Sequence, residues 1–146
     1  MTLLPGLELR LSIPWGIGTG LDPLAVFLIA VITNALLGPV VYFAIIHFVQ
    51  HLLQFPAISS LYERFVLRTR KKVFPLVDKY GLIGISLFIA IPLPGSGSYT
   101  GALAAYLLGL SQKRFALANL LGVLLAGLAV TLISIGFFNG IGVMYT

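Results

Sequence analysis

The chain has no cysteine, which excludes a disulfide framework and any thiolate metal site. It also has little charge. Only 9% of its 146 residues are Asp, Glu, Lys or Arg, against about 25% in an ordinary soluble domain. With two histidines and four acids, a metal cluster is not expected. No nucleophile–base pair stands out, so neither an enzyme nor a cofactor is expected. What the chain has in abundance is apolar surface: 59% of residues are hydrophobic and the mean hydropathy is +1.07. Its length allows one helical bundle. These features describe an all-α, polytopic integral membrane protein with the lipid bilayer as solvent.

The net charge of +5 is not spread as a nucleic-acid-binding face would be. Arg64, Arg68, Arg70, Lys71 and Lys72 share one short segment, with Lys79 just beyond. Such a cluster marks a cytoplasmic loop under the positive-inside rule, and it suits anionic lipid headgroups. Apolar Leu61, Tyr62, Phe65 and Val66 interleave with Glu63, Arg64 and Arg68, the pattern of an amphipathic helix lying on a membrane surface.

Between Lys79 and Lys113 there is no charge, yet the run is interrupted. Pro92 and Pro94 remove amide donors and block a continuous helix. Gly95 and Gly97 free the backbone, and Ser96, Ser98 and Thr100 place hydroxyls at the break. Tyr99 sits among them, and Gly101, Ala105 and Gly109 give the resuming helix a small-residue face. In lipid, a non-helical backbone persists only where protein buries it or where it lines a wet cavity. Broken helices at the midplane are where transporters place substrate and ion sites.

The N-terminal stretch has the same logic: a break is expected at Pro14, followed by Gly16, Gly18 and Gly20. It has no basic n-region, and Pro5, Glu8 and Arg10 interrupt it, so it does not read as a cleaved signal. Asp22-Pro23 is a helix start, with Asp as N-cap and Pro at the first helical position. Leu24 to Val49 is long enough to cross about 30 Å of hydrocarbon. Gly38-Pro39 should kink that helix, and Asn34 is its main internal polar residue. His47 and His51 share a face near its end but lack the acidic partner of a zinc-protease motif, and they read as interfacial. Ser111 is placed to cap a second span over Phe115–Ile135, with Asn119 in its second turn, before a glycine-rich tail.

Two units emerge: unit one over 1–54 and unit two over 81–137, joined by the basic linker 55–80 and followed by a tail over 138–146. Each is a Pro/Gly-broken re-entrant hairpin, a capped start (Gly20-Leu-Asp-Pro23, Gly109-Leu-Ser-Gln112), then one transmembrane helix. If both hairpins return to the side they came from, the units are inverted. Lys113 and Arg114 then lie on the same side as the linker, which places eight of the nine basic residues together, with Arg10 the exception.

Glu8-Leu-Arg10, Ile13-Pro-Trp-Gly16 and Ile91-Pro-Leu-Pro-Gly-Ser-Gly-Ser-Tyr-Thr-Gly-Ala-Leu103 together resemble the small multidrug export family over almost the whole chain. That family is similar in turn to the DedA (VTT-domain) superfamily, and Phe115, Asn119 and Gly122 resemble the pattern after the second DedA loop. The resemblance implies two facing re-entrant loops and proton-linked transport or movement of lipids between leaflets. The second loop here carries hydroxyls where DedA proteins carry arginines.

Glu8 and Arg10 are the sharpest functional candidates. A charge at membrane depth costs roughly 2.5–3.5 kcal/mol by insertion scales, so it must be paired, wetted or used. The expected roles are a proton-carrying Glu8 tuned by Arg10, a substrate loop formed by Pro14, Pro92, Pro94, Gly95, Ser96, Gly97, Ser98, Tyr99, Thr100 and Gly101, and Asn34 and Asn119 reaching it from the spans. The expected function is a transporter in the inner (plasma) membrane, with its linker cytoplasmic. It would export a small amphiphile with proton coupling, or translocate a lipid or lipid-linked phosphate. The small enclosed volume points to a homodimer. The competing reading is a non-transporting membrane organiser or scaffold.

Overall fold

A computed structural model describes residues 8–52, 81–91 and 97–140. The described residues form α1 (Glu8–Gly18), α2 (Pro23–Leu52), α3 (Gly81–Ala90), α4 (Ser98–Leu107) and α5 (Gln112–Gly140), with no strand among them. The basic linker cluster, Pro92, Pro94, Gly95, Ser96 and the residues after Gly140 lie outside the described residues.

α2 and α5 are long and apolar enough to cross a membrane. At 1.5 Å per residue each reaches about 45 Å. Their outer faces carry Leu24, Leu28, Ile32, Leu36, Val40, Leu121, Leu128 and Leu132, all exposed. A helix that is apolar outward as well as inward belongs in lipid. The inward face of α5 is built from Phe115, Ala118, Asn119, Gly122, Val123, Ala126, Gly127 and Val130. That is a helical stripe of mostly small residues, which allows close packing without a hydrophobic driving force. Gly122 lies against the Ile89 side chain and the Ser86 carbonyl of α3, and Gly127 against Val31 and Phe27 of α2.

α2 and α5 run antiparallel. Val31 faces Gly127, Gly38 faces Asn119, and Tyr42 stacks on Phe115 with ring centroids 5.1 Å apart. α1 folds back along α2 and also packs on α5, while α4 packs on both α5 and α2. Each short helix therefore contacts the long helix of the other hairpin as well as its own. Gly18, at the end of α1, lies by Phe138 near the end of α5. The Tyr42 hydroxyl donates to the Leu110 carbonyl in the α4–α5 turn. The two hairpin turns thus sit at opposite ends of the bundle.

The turns are built alike. After α1, Gly20 donates to the Ile17 carbonyl and Leu21 to the Gly16 carbonyl; after α4, Gly109 donates to Tyr106 and Leu110 to Ala105. Both are paired 5→2 and 6→1 bonds that close a helix through a left-handed glycine. Gly20 has φ +85° and Gly109 +70°. The next helices start from Asp22 and Ser111, whose carbonyls accept from Val26 and Phe115. Asp22 adds the expected side-chain cap, its Oδ1 accepting from the Ala25 amide at 2.8 Å. One constant offset in the sequence relates all these pairs, and it also relates Glu8 to Gly97.

Two expected boundaries are corrected. α1 runs unbroken through Pro14, so the N-terminal turn falls at Thr19–Gly20 instead. A proline forfeits one bond, that to the carbonyl four residues back, and an 11-residue helix packed on two neighbours tolerates the loss. α5 extends to Gly140, past the expected start of the tail.

Candidate functional site: an ion pair across a helix break

α3 ends at Ala90 and α4 begins at Ser98, one helix end on either side of the Pro/Gly sequence. A break inside an apolar bundle leaves carbonyls at the end of one helix and amides at the start of the next without partners. Glu8 and Arg10 of α1 satisfy both ends. The Glu8 carboxylate accepts from the Ser98 amide at 3.0 Å through Oε2 and from the Tyr99 amide at 3.2 Å through Oε1. Arg10 Nη2 donates to the Ile89 and Ile91 carbonyls, each at 2.7 Å. An anion thus meets the positive end of α4 and a cation the negative end of α3. The two side chains pair with each other, Arg10 Nη1 lying 3.5 Å from Glu8 Oε2.

Spacing alone does not put residues two apart on one helical face. They meet here because Glu8 starts α1 with φ +33°, a left-handed conformation rare outside glycine. The carboxylate does the work of an N-cap side chain, supplied from another helix. Gly97, at the N-cap position, has no side chain to compete: a Cβ there would lie 2.1 Å from Glu8 Oε2. Thr100 completes the cap, its hydroxyl accepting from the Gly97 amide at 2.9 Å. Glu8 is 2% exposed, so its charge is held by this local partner set.

Ser98 links the pair to a second polar cluster. Its hydroxyl donates to the Asn34 carbonyl at 3.4 Å. Asn119 Nδ2 donates to the same carbonyl at 3.1 Å and to that of Ala35 at 3.4 Å. Pro39 explains the second bond. Lacking an amide hydrogen, it leaves the Ala35 carbonyl without its usual helical donor, and Asn119 supplies one from α5. Gly38 makes the approach possible, since a Cβ there would overlap the Asn119 amide at 2.3 Å.

Of the residues expected to form a site, Glu8, Arg10, Gly97, Ser98, Tyr99, Thr100, Asn34 and Asn119 come together around this break. Gly101 lies one turn into α4 with the Ile89 side chain against it. Pro14 lies within α1 and outside any loop. His47 and His51 are exposed, each ring Nδ1 on the carbonyl one turn back. Among the described residues no group of three or more His, Asp or Glu could hold a metal. Sequence reasoning did not supply the Ile89 and Ile91 carbonyls, which carry no side-chain signal, or the Tyr42–Leu110 bond. Pro39 stands out in the sequence, but the donor that Asn119 on α5 supplies to the Ala35 carbonyl does not.

A family model described as "Putative small multi-drug export protein" matches residues 8–129, a range running from the ion-pair glutamate through most of α5. No curated protein and no solved structure matches the chain.

Proposed function

The chain belongs to the small multi-drug export family, and on that premise we propose that it is a membrane transporter in which Glu8 carries the coupling proton. Its cargo is a small amphiphile or a lipid or lipid-linked phosphate. The observation that carries the reading is the Glu8 carboxylate capping α4 from α1 while paired with Arg10. A carboxylate accepts two amide hydrogens at once. A protonated one turns an acceptor into a donor that faces another donor. Proton uptake by Glu8 therefore releases the start of α4 and leaves Arg10 on the α3 carbonyls. The freed Ser98 and Tyr99 amides, at a helix N-terminus, then attract an anionic headgroup. Proton loss restores the cap and expels the ligand.

The proposal includes the membrane arrangement. α1 and α4 form the inner arms of two inverted re-entrant hairpins, as in the DedA superfamily, and α2 and α5 are the spans. The turns at opposite ends of the bundle and their matching hydrogen bonds support this. The protein sits in the plasma (inner) membrane, with the basic linker cytoplasmic on anionic headgroups, and works without enzymatic chemistry, as a homodimer enclosing more volume than one copy can.

The test is reconstitution of wild type and Glu8→Gln in liposomes, following efflux of amphiphilic dyes and flip of labelled phospholipid across a range of neutral pH. Wild type should transport at least one of them with a pH-dependent rate, and Glu8→Gln should lose that dependence. Equal transport by both at every pH would refute the proton role. A second reading, a static organiser, draws on the same ion pair, whose bonds are all internal. It predicts no thermal shift with any lipid or drug, whereas a bound ligand stabilises a transporter.

A further inference from the structure

At the α4–α5 end of the bundle lies a hollow of about 290 Å³. Its wall is Gly81 and Leu82 at the start of α3, Leu108, Gly109 and Leu110 of the turn, and Arg114 in the first turn of α5. Gly81 and Gly109 take left-handed φ of +50° and +70°. A Cβ at either would meet nothing within 4 Å, so both leave their side of the hollow open. A water takes about 30 Å³ of liquid, and the hollow has room for a polar group much larger than one bridging water. Arg114 is the charged group on this wall. Among the described residues it has no hydrogen-bond or ion-pair partner. Nearby carbonyls that could balance it are taken: those of Ala104, Ala105 and Tyr106 accept from the turn amides, and that of Leu110 from the Tyr42 hydroxyl. Of the described acids, Glu8 is spent at the helix break and Asp22 caps α2 at the far end.

The depth of the hollow selects the anion that meets this arginine. α5 has 29 residues, and about 20 suffice to cross the hydrocarbon. Its charges, Lys113 and Arg114, both fall in its first turn, so in a bilayer that turn lies among the headgroups. The abundant anion at that depth is lipid phosphate. We infer that the hollow binds the phosphate of an anionic phospholipid, with Arg114 as its counter-ion. Basic pockets between membrane helices bind such headgroups, and the start of α3 adds partial charge of the same sign as the arginine. A phosphate seated there ties α3 to the α4–α5 turn. The site is separate from the basic linker, makes no use of Glu8, and stands whether or not the protein transports.

The experiment is thermal unfolding of the full chain in a neutral detergent. It is titrated with dioctanoyl phosphatidylglycerol, with dioctanoyl phosphatidylcholine, and with inorganic phosphate at equal ionic strength. Phosphatidylglycerol should raise Tm saturably, by several degrees once it exceeds its Kd by about a hundredfold. Phosphatidylcholine, whose choline cancels the charge, should not. Arg114→Gln should lose most of the shift. Lys113→Gln removes an equal charge that is not in the wall of the hollow, and should keep it. Both residues are exposed, so neither change disturbs the fold. An Arg114-dependent shift with inorganic phosphate alone would support the site and assign it to soluble phosphate. Equal shifts in wild type and Arg114→Gln, or equal losses in the two variants, would overturn it. So would a lower Tm for Arg114→Gln without lipid together with no lipid effect in wild type, the pattern expected if Asp78, which lies outside the described residues, were the counter-ion.

Discussion

At the residue scale, the account turns on how few atoms separate a held helix end from a free one. A methyl group at position 97 would sit 2.1 Å from Glu8 Oε2, and that contact cannot be relieved without moving the carboxylate off the Ser98 and Tyr99 amides. Gly97→Ala should therefore behave as a loss of Glu8. Breaking a buried pair by removing one partner costs about 3–5 kcal/mol, so a large fall in Tm in detergent is expected. Glu8→Ala should match it, and the double variant should be little worse than either. Additive losses in that cycle would show that the two residues act independently. Arg10→Lys, which keeps the charge, should not rescue: one guanidinium edge serves two carbonyls and a carboxylate, and an ammonium is a point charge without that fork.

At the scale of elements, Pro39 inside α2 is a test of carbonyl satisfaction. Asn119→Ala should cost about 1–3 kcal/mol, the usual penalty for leaving a buried polar group unpaired. In a Pro39→Ala background, residue 39 regains an amide hydrogen for the Ala35 carbonyl, so the same substitution should cost less. A thermal-melt cycle over the four proteins measures that coupling; an unchanged cost would show that Asn119 does not serve the freed carbonyl. The two turns make a matched pair of predictions. Gly20→Ala and Gly109→Ala each place a Cβ on a left-handed residue, where alanine destabilises, and each should cost about 1 kcal/mol. The losses should be similar, because the turns share one hydrogen-bond pattern.

Much of this element plan is legible in the sequence. The helix start at Asp22-Pro23 and the end of α3 at Ala90, before Pro92, follow from residues whose backbone chemistry is restrictive, and the two spans follow from uncharged length. Pro14 misleads because a proline in a short, well-packed helix costs one bond, while the chain turns where a glycine takes positive φ. The site is half legible. Glu8 and Arg10 stand out as charges in an apolar chain, and the glycines and hydroxyls after Pro94 mark the break. That the two belong to each other is not legible. The Glu8 partners are main-chain amides some ninety residues away, and any residue but proline supplies an amide.

At the scale of the whole molecule, the described helices pack together because α1 and α4 each contact both long helices, α2 and α5. The ion pair matters at this scale too, since it ties the start of α1 to the start of α4 and the end of α3. The transport proposed above would rock one hairpin against the other once the tie is released, opening two faces at the opposite ends where the turns lie. The most direct measurement of that claim uses the absence of native cysteine. Single cysteines at Thr19, in the α1–α2 turn, and at Gln112, beside the α4–α5 turn, are labelled in intact cells with an impermeant maleimide, before and after permeabilisation. The account predicts labelling at Thr19 from outside and at Gln112 only after permeabilisation. Labelling of both positions from the same side would contradict the inverted arrangement, and with it the transport mechanism built on Glu8.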